Sequence, residues 1–94
     1  MIKIVHVKGE DKGKIMLYAL STCIWCRKTK NLLEKLNVAF DYIFVDLLEE
    51  EDKDKVIDEL TKYNPRCSFP TMVFNDDKTI IGFKEDEIQK VLEK

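Results

Sequence analysis

The spacing of apolar residues divides the chain into short strand-like and helix-like segments. Five segments have the alternation or the composition typical of β-strands: 2–8, 15–20, 39–46, 71–74 and 79–81. Residues 15–20 are apolar throughout apart from the hydroxyl of Tyr18, which predicts a strand covered on both faces. A polar stretch at 75–78 separates the last two strands and predicts a hairpin turn.

Three segments have the spacing of amphipathic helices. The first follows the second strand and runs to about Asn37, with Ser21 or Thr22 as its predicted N-cap. Its apolar stripe consists of Trp25, Leu32, Leu33 and Leu36, with Thr29 in the same row. The second covers 49–63 and begins with four acidic residues, which the positive end of a helix dipole favours. The third covers 85–92.

The order of these segments predicts an α/β fold. After the first strand, the chain reads strand, helix, strand, helix, strand, strand, helix. Two strands joined through a helix lie parallel, whereas the strands of the closing hairpin are antiparallel. We therefore expect one domain, residues 1–94, built on a mixed four-stranded sheet with helices on its faces.

Composition narrows the possible functions. The 16 basic and 18 acidic residues give a net charge of −2, which argues against nucleic acid as the main partner. No apolar run approaches the roughly 20 residues that span a bilayer. The first residues alternate charged with apolar side chains and lack the apolar centre of a signal peptide. We therefore expect a cytoplasmic protein, in which closely spaced cysteines indicate catalysis or metal binding more often than structural disulfides.

The segment Cys23-Ile24-Trp25-Cys26 carries the clearest chemical signal. It lies between a predicted strand and a predicted helix, which places the first sulfur on the first turn of that helix. The partial positive charge there favours a thiolate, and the second sulfur lies one turn away, close enough for a disulfide. Structural zinc is the competing interpretation, but zinc takes four ligands. Beyond this pair the chain offers only Cys67 and His6, so we favour redox chemistry.

Three motifs resemble the glutaredoxin branch of the thioredoxin fold. They are Cys23-Ile24-Trp25-Cys26, Ser68-Phe69-Pro70-Thr71 and Gly82-Phe83-Lys84-Glu85-Asp86, and the resemblance covers residues 15–93. It implies a thioredoxin-like α/β fold with a mixed four-stranded sheet, three flanking helices and an extra N-terminal strand. Because that fold occupies both sides of strand 15–20, the extra strand is expected at a sheet edge, beside 40–46.

The chain also departs from the pattern of glutathione-using glutaredoxins. Those proteins usually carry Pro-Tyr between the cysteines, where this chain has Ile24-Trp25, and a lysine where this chain has Leu20. They have a Gly-Gly pair where this chain has Gly82-Phe83. The third motif is more similar to that of the NrdH-type redoxins, which reduce ribonucleotide reductase and draw electrons from thioredoxin reductase. These departures weaken the expectation that glutathione is the electron donor.

The resemblance assigns roles to the residues of the motifs. Cys23 is the expected nucleophile and Cys26 the resolving thiol. Pro70 is expected in the cis form beside them, which leaves the backbone of Phe69 free to pair with an extended substrate. Gly82, Phe83 and Asp86 are expected to form the opposite rim, although Asp86 would equally serve as a plain helix cap. Trp25 is expected to be exposed as a contact for partner proteins, the alternative being packing in the core.

Cys67 lies three residues before Pro70, and three roles are open to it. It is either a third redox thiol, a ligand with Cys23 and Cys26 for a metal or an iron–sulfur cluster, or a small, partly buried side chain. We favour the last.

The sequence thus predicts a glutaredoxin-like thiol–disulfide oxidoreductase that needs no bound cofactor. Its expected substrates are protein disulfides or mixed disulfides with small thiols, and its expected electron donor is a reductase or a low-molecular-weight thiol. No nucleic-acid or membrane partner is expected. The alternatives are an iron–sulfur or metal carrier using Cys23, Cys26 and Cys67, within one chain or between two chains, and a redox-inert protein that keeps the fold.

Overall fold

A computed structural model describes residues 4–92 and shows five strands and three α-helices in that range. The strands are β1 (Val5–Val7), β2 (Ile15–Ala19), β3 (Phe40–Phe44), β4 (Thr71–Phe74) and β5 (Lys78–Ile81). The helices are α1 (Ile24–Lys35), α2 (Glu50–Thr61) and α3 (Glu85–Leu92), with a single 3₁₀ turn at Val45–Leu47. Residues 1–3 and 93–94, including the start of the first predicted strand, lie outside the described residues.

The strands form one mixed sheet in the order β1-β3-β2-β4-β5. β2 and β3 are parallel, and every other neighbouring pair is antiparallel. The predicted thioredoxin-like architecture is therefore confirmed, and so is the placement of the N-terminal strand at the edge beside β3. β2 lies at the centre, with Tyr18 opposite Ile43 on one side and Thr71 on the other.

The core has two layers, one on each face of the sheet. Leu17 of β2 points to the layer that contains Leu33 of α1 and Ile88 of α3. Its neighbour Tyr18 points to the opposite layer, which contains Leu60 of α2. Because successive side chains of a strand face opposite sides, the unbroken apolar run of β2 fills both layers. The prediction of a strand covered on both faces is confirmed.

Several predicted boundaries are wrong by one or two residues. Helix α1 is capped by Cys23 rather than by Ser21 or Thr22, because the Ser21 hydroxyl donates to Asp46 in the 3₁₀ turn after β3. The helix ends at Lys35. Strand β3 ends at Phe44, where the chain tightens into the 3₁₀ turn. Helix α2 is shorter than 49–63, since Glu49 is its N-cap and Lys62 its C-cap.

The buried Asn64 organises the loop between α2 and β4. Its Nδ2 donates to the carbonyl and the hydroxyl of Ser68, at 3.3 and 3.0 Å, and to Oγ1 of Thr71 at 3.0 Å. Its Oδ1 accepts from the amide of Arg66 at 3.2 Å, and Thr71 Oγ1 donates to the Ser68 carbonyl at 2.8 Å. This network holds residues 65–70 against the start of β4, which fixes the loop that carries Phe69 and Pro70.

Asn64→Ala is expected to lower the free energy of unfolding by about 2–4 kcal/mol, because it leaves buried partners in the 64–71 loop unsatisfied. The matched control is Asn31→Ala on the exposed surface of α1, which should change stability by no more than about 0.5 kcal/mol. Urea denaturation of both variants measures the difference. Equal stability losses would contradict the assigned role of Asn64.

Candidate active site

Cys23 is the N-cap residue of α1, directly after the loop that leaves β2. Its Sγ accepts a hydrogen bond from the amide of Cys26 at 3.2 Å, and its carbonyl accepts from the amide of Arg27 at 3.1 Å. The first turn of α1 contains no acidic residue. A sulfur that receives a helix amide at the positive end of the dipole is well placed to carry negative charge. The predicted position of Cys23 is found, and its role as nucleophile stays a prediction.

Cys26 differs from Cys23 in its surroundings. It is 1% exposed, whereas Cys23 is half-buried, and both thiols are free in this structure. Burial, followed by the hydrogen bond with Cys23, raises the pKa of Cys26 to about 12. The inner sulfur is therefore kept as a neutral thiol at physiological pH, while the outer sulfur is open to solvent. This asymmetry suits a pair in which one sulfur attacks first and the other follows.

Asp46 anchors the loop that precedes Cys23, and the sequence reasoning missed it. Its carboxylate accepts from the amide of Ser21 at 2.8 Å and from the Ser21 hydroxyl at 2.5 Å. Partial burial acts to raise the pKa of Asp46, but these bonds, its own amide and Lys53 outweigh burial and lower it. The predicted parallel pairing of 15–20 with 39–46 offered a signal, since parallel strands end at the same edge.

The second motif forms the neighbouring wall of the site. The Phe69–Pro70 peptide bond is cis, as the resemblance implies, and Pro70 is buried. The carbonyl of Pro70 accepts from the amide of Gly82 at 2.8 Å, which joins the second motif to the third. Within residues 4–92 the backbone of Phe69 has no hydrogen-bond partner. The amide and carbonyl of Phe69 thus remain available for pairing with an extended segment.

Two stacked aromatic rings, one exposed and one half-buried, form a rim beside the thiols. Trp25 is 55% exposed and stacks on Phe83, with ring centroids 6.1 Å apart and an interplanar angle of 26°. Nζ of Lys28 lies 4.6 Å from the centroid of the Trp25 ring, a cation–π geometry. The predicted exposure of Trp25 is confirmed, so its place on the apolar stripe of α1 does not bury it. Contact with a partner protein stays a prediction.

Gly82 and Asp86 of the third motif lie close in sequence to Phe83. Gly82 has a φ of +85°, and a Cβ added there would meet no atom within 4 Å, so the backbone conformation rather than space favours glycine. Asp86 lies exposed in the first turn of α3, without a hydrogen-bond or ion-pair partner among the described residues. Its predicted role toward a substrate stays a prediction.

Cys67 does not join the two active-site thiols in a metal site. It is half-buried with a φ of +52°, and its amide donates to the carbonyl of Asn64 at 2.9 Å. Across residues 4–92 no three His, Cys, Asp or Glu side chains lie close enough to hold a metal ion. His6 instead bonds to Asp41 at 2.6 Å across the β1–β3 pair. The described chain does not assemble the three-cysteine ligand set of the carrier hypothesis.

Exposed apolar side chains gather at the end of the sheet that carries Cys23. β2, β3 and β5 run in the same direction, because β4 is antiparallel to both β2 and β5. Four large side chains at or just beyond the carboxyl ends of these strands are exposed: Ile24 (63%), Trp25 (55%), Leu47 (68%) and Ile81 (39%). These exposed apolar side chains therefore lie on the same edge of the sheet as Cys23.

Comparisons with known proteins agree with this geometry. The family model described as glutaredoxin matches residues 15–79. The methanoredoxin of Methanosarcina acetivorans is 55% identical, with a TM-score of 0.89, and the match covers 92% of this chain and 90% of that one. The glutaredoxin of Methanosarcina mazei Go1 is 49% identical, with a TM-score of 0.90 over 98% of this chain and 89% of that one.

A further relative is an uncharacterized glutaredoxin-like 8.6 kDa protein of the rubredoxin operon of Clostridium pasteurianum. It is 34% identical over 80 residues, which cover 85% of this chain and 99% of that protein. No helix between residues 4 and 92 has the length and apolar character to cross a membrane. The chain belongs to the glutaredoxin family, and this membership together with the Cys23–Cys26 pair supports a thiol–disulfide redox role.

Proposed function

We propose that this protein reduces disulfide bonds in other proteins through a dithiol cycle of Cys23 and Cys26. The observation that carries the proposal is the contrast between the two sulfurs. Cys23 Sγ is accessible and accepts the Cys26 amide, whereas the Cys26 thiol is buried and kept protonated. No bound cofactor enters the cycle, because the sulfurs themselves carry the two electrons.

In the first step, the Cys23 thiolate attacks one sulfur of the target disulfide. A Cys23–target disulfide forms, and the target's other sulfur leaves as a thiolate. The Cys26 amide and the positive end of α1 stabilise the attacking anion before the reaction. Phe69 supports the encounter, since its free backbone groups can pair with the chain that carries the target disulfide.

In the second step, Cys26 attacks Cys23 Sγ within the mixed disulfide. Cys26 gives its proton to one target sulfur as it attacks, and the other target sulfur takes up from solvent the proton that Cys23 released on ionisation. The second target sulfur leaves, and a Cys23–Cys26 disulfide remains. One target disulfide is reduced to two thiols while one dithiol is oxidised, so electrons and protons balance. A reductase or a low-molecular-weight thiol then restores the dithiol. Because burial keeps Cys26 neutral, it does not compete with Cys23 for the first attack.

The exposed rim favours a protein over a small thiol as the substrate. Interfaces concentrate their binding energy in a few aromatic and apolar anchors. The Trp25–Phe83 stack, with Ile24 beside it, offers such anchors next to Cys23. The described residues of one chain do not bring three metal ligands together, so the structure offers no support for a carrier site within a single chain.

Cys26→Ser is expected to stop the cycle at the mixed disulfide, because the second attack loses its sulfur. Mixed with a peptide that contains a disulfide, this variant should accumulate a covalent adduct that mass spectrometry assigns to Cys23. Cys23→Ser should form no adduct and show no reductase activity. Cys67→Ser is the control and should retain both adduct resolution and activity. A stable adduct at Cys67 in the Cys26→Ser variant would contradict the assignment.

Iodoacetamide is expected to alkylate Cys23 and spare Cys26 in the folded, reduced protein. At about pH 9 an ordinary cysteine is mostly ionised. Cys26 remains protonated there, because its pKa is raised to about 12, and its burial excludes the reagent. Peptide mapping by mass spectrometry gives the modified fraction of each cysteine, and the same reaction in urea should modify both. Equal labelling of the two in the folded state would show that the asymmetry is absent.

Trp25→Ala is expected to raise the KM for a protein disulfide such as insulin by about tenfold, the usual effect of losing an interface anchor. The rate with hydroxyethyl disulfide, which is too small to cover the rim, should change little. Trp25→Phe keeps an aromatic ring against Phe83 and serves as the matched control. A uniform loss with both substrates would assign Trp25 to the chemistry of Cys23 instead.

A further inference from the structure

The connection from β2 to α1 consists of residues 20–23 and carries the nucleophilic thiol at its end. Within this turn, the amide of Cys23 donates to the carbonyl of Leu20 at 3.2 Å. Besides Cys26, the only side chain outside the turn that hydrogen-bonds to it in the described part of the chain is Asp46. The conformation of the turn therefore depends on one backbone bond and on one distant carboxylate.

The register of the sheet places Asp46 beside this turn. Ala19 pairs with Phe44 in the parallel strands β2 and β3, and Ser21 and Asp46 each lie two residues beyond that pair. The amide and the hydroxyl of Ser21 donate to the two carboxylate oxygens of Asp46, at 2.8 and 2.5 Å. Although partial burial acts to raise the pKa of Asp46, these bonds help to lower it, so the acceptor is a carboxylate at neutral pH.

Leu20, directly before Ser21, contacts both active-site cysteines through its backbone. Its carbonyl accepts the amide of Cys23, and its amide donates to the sulfur of Cys26. Burial is the largest effect on Cys26 and raises the pKa of its thiol, whereas the bond from Leu20 acts in the opposite direction. Because Ser21 is held by the carboxylate, the neighbouring residue that touches both cysteines is restrained as well.

We propose that Asp46 is a positioning residue of the dithiol cycle, an inference that rests on the proposed redox role of Cys23 and Cys26. By binding Ser21, the carboxylate keeps the 20–23 turn ordered and holds Cys23 as the N-cap of α1, one helical turn from Cys26. Asp46 forms no hydrogen bond with either sulfur in the part of the chain that the structure describes. It therefore acts through Ser21 and Leu20 and is not itself a catalytic residue.

An ordered turn lowers the free-energy cost of closing the Cys23–Cys26 disulfide. The bond requires the two sulfurs to approach to about 2 Å, and closing a ring from mobile ends costs conformational entropy. With Asp46 in place, much of that freedom is already lost in the dithiol. Without Asp46, the dithiol gains freedom that the disulfide has to remove again. The disulfide then becomes easier to reduce, and Cys26 attacks the mixed disulfide more slowly.

The test is the reduction potential of the Cys23–Cys26 pair in the full chain, measured at pH 7 in thiol–disulfide redox buffers by alkylation and mass spectrometry. Asp46→Ala should lower the equilibrium constant for the disulfide about tenfold, the effect of losing hydrogen bonds to a charged group. A tenfold change raises the potential of a two-electron couple by about 30 mV. Asp46→Asn keeps an acceptor for the Ser21 amide and a donor for its hydroxyl, so it should stay within about threefold of the wild type. Asp54→Ala removes an exposed carboxylate from α2 and should change nothing.

Ser21→Ala gives a second, milder test, which holds even where Asp46→Ala does not fold. It removes the hydroxyl bond alone and should lower the same equilibrium constant about threefold. Added to Asp46→Ala, it should have no further effect, because its partner is already absent. An unchanged potential in Asp46→Ala, an equal shift in Asp46→Asn, or additive effects of the two alanine substitutions would overturn the proposal.

The potential is measured without a protein substrate, so the two proposals can fail separately. A wild-type chain that forms the Cys23–Cys26 disulfide but does not reduce insulin would contradict the proposed function and leave the effect of Asp46 on the potential measurable. A wild-type chain that forms no such disulfide in any redox buffer would overturn both. Normal insulin reduction by the wild type, with the same potential in Asp46→Ala, would overturn only the role of Asp46.

Discussion

The pairing of β2 with β3 on one side and β4 on the other is the constraint on which the site depends. Tyr18 stands opposite both Ile43 and Thr71, so the register of three strands is fixed at one level of the sheet. Because β2 and β3 are parallel, both end at the same edge, and antiparallel β4 begins there. The loops that carry the thiols, Asp46 and the cis-proline meet there for this reason. A shift of one residue in this register would move each strand's side chains to the wrong face.

The hydrophobic pattern was sufficient to predict this framework. Alternation and apolar runs indicate which faces of a strand are buried. Residues 15–20 are predicted to be covered on both faces because they are apolar throughout apart from the Tyr18 hydroxyl. The chemistry of the Cys23–Cys26 spacing was also readable, since a helix that starts between the two cysteines imposes their geometry. The position of β1 came from the family resemblance, because an edge strand of three residues leaves little pattern of its own.

The details of the site depended on contacts that no local pattern encodes. Ser21 has the chemistry of an N-cap, yet Asp46, which is 25 residues away in the chain, competes for both its amide and its hydroxyl. Cys23 is therefore the N-cap of α1, and its sulfur accepts the amide hydrogen bond that a side-chain oxygen usually accepts. Trp25 lies on the apolar stripe of α1, but it stands in the first turn of the helix and is 55% exposed. The N-cap of α1 and the exposure of Trp25 therefore depend on tertiary contacts rather than on the local sequence pattern.

The strand arrangement also explains why the exposed apolar side chains lie near the strand ends around Cys23. A small domain buries a limited share of its surface, so large exposed apolar side chains reduce the burial that stabilises it. In this chain most of them are near the strand ends that surround Cys23, instead of being scattered. Asp46 and Asn64 hold the two loops of the site by hydrogen bonds, which need no apolar packing at that edge. The apolar rim is therefore free to face outward, where a partner rather than the core can cover it.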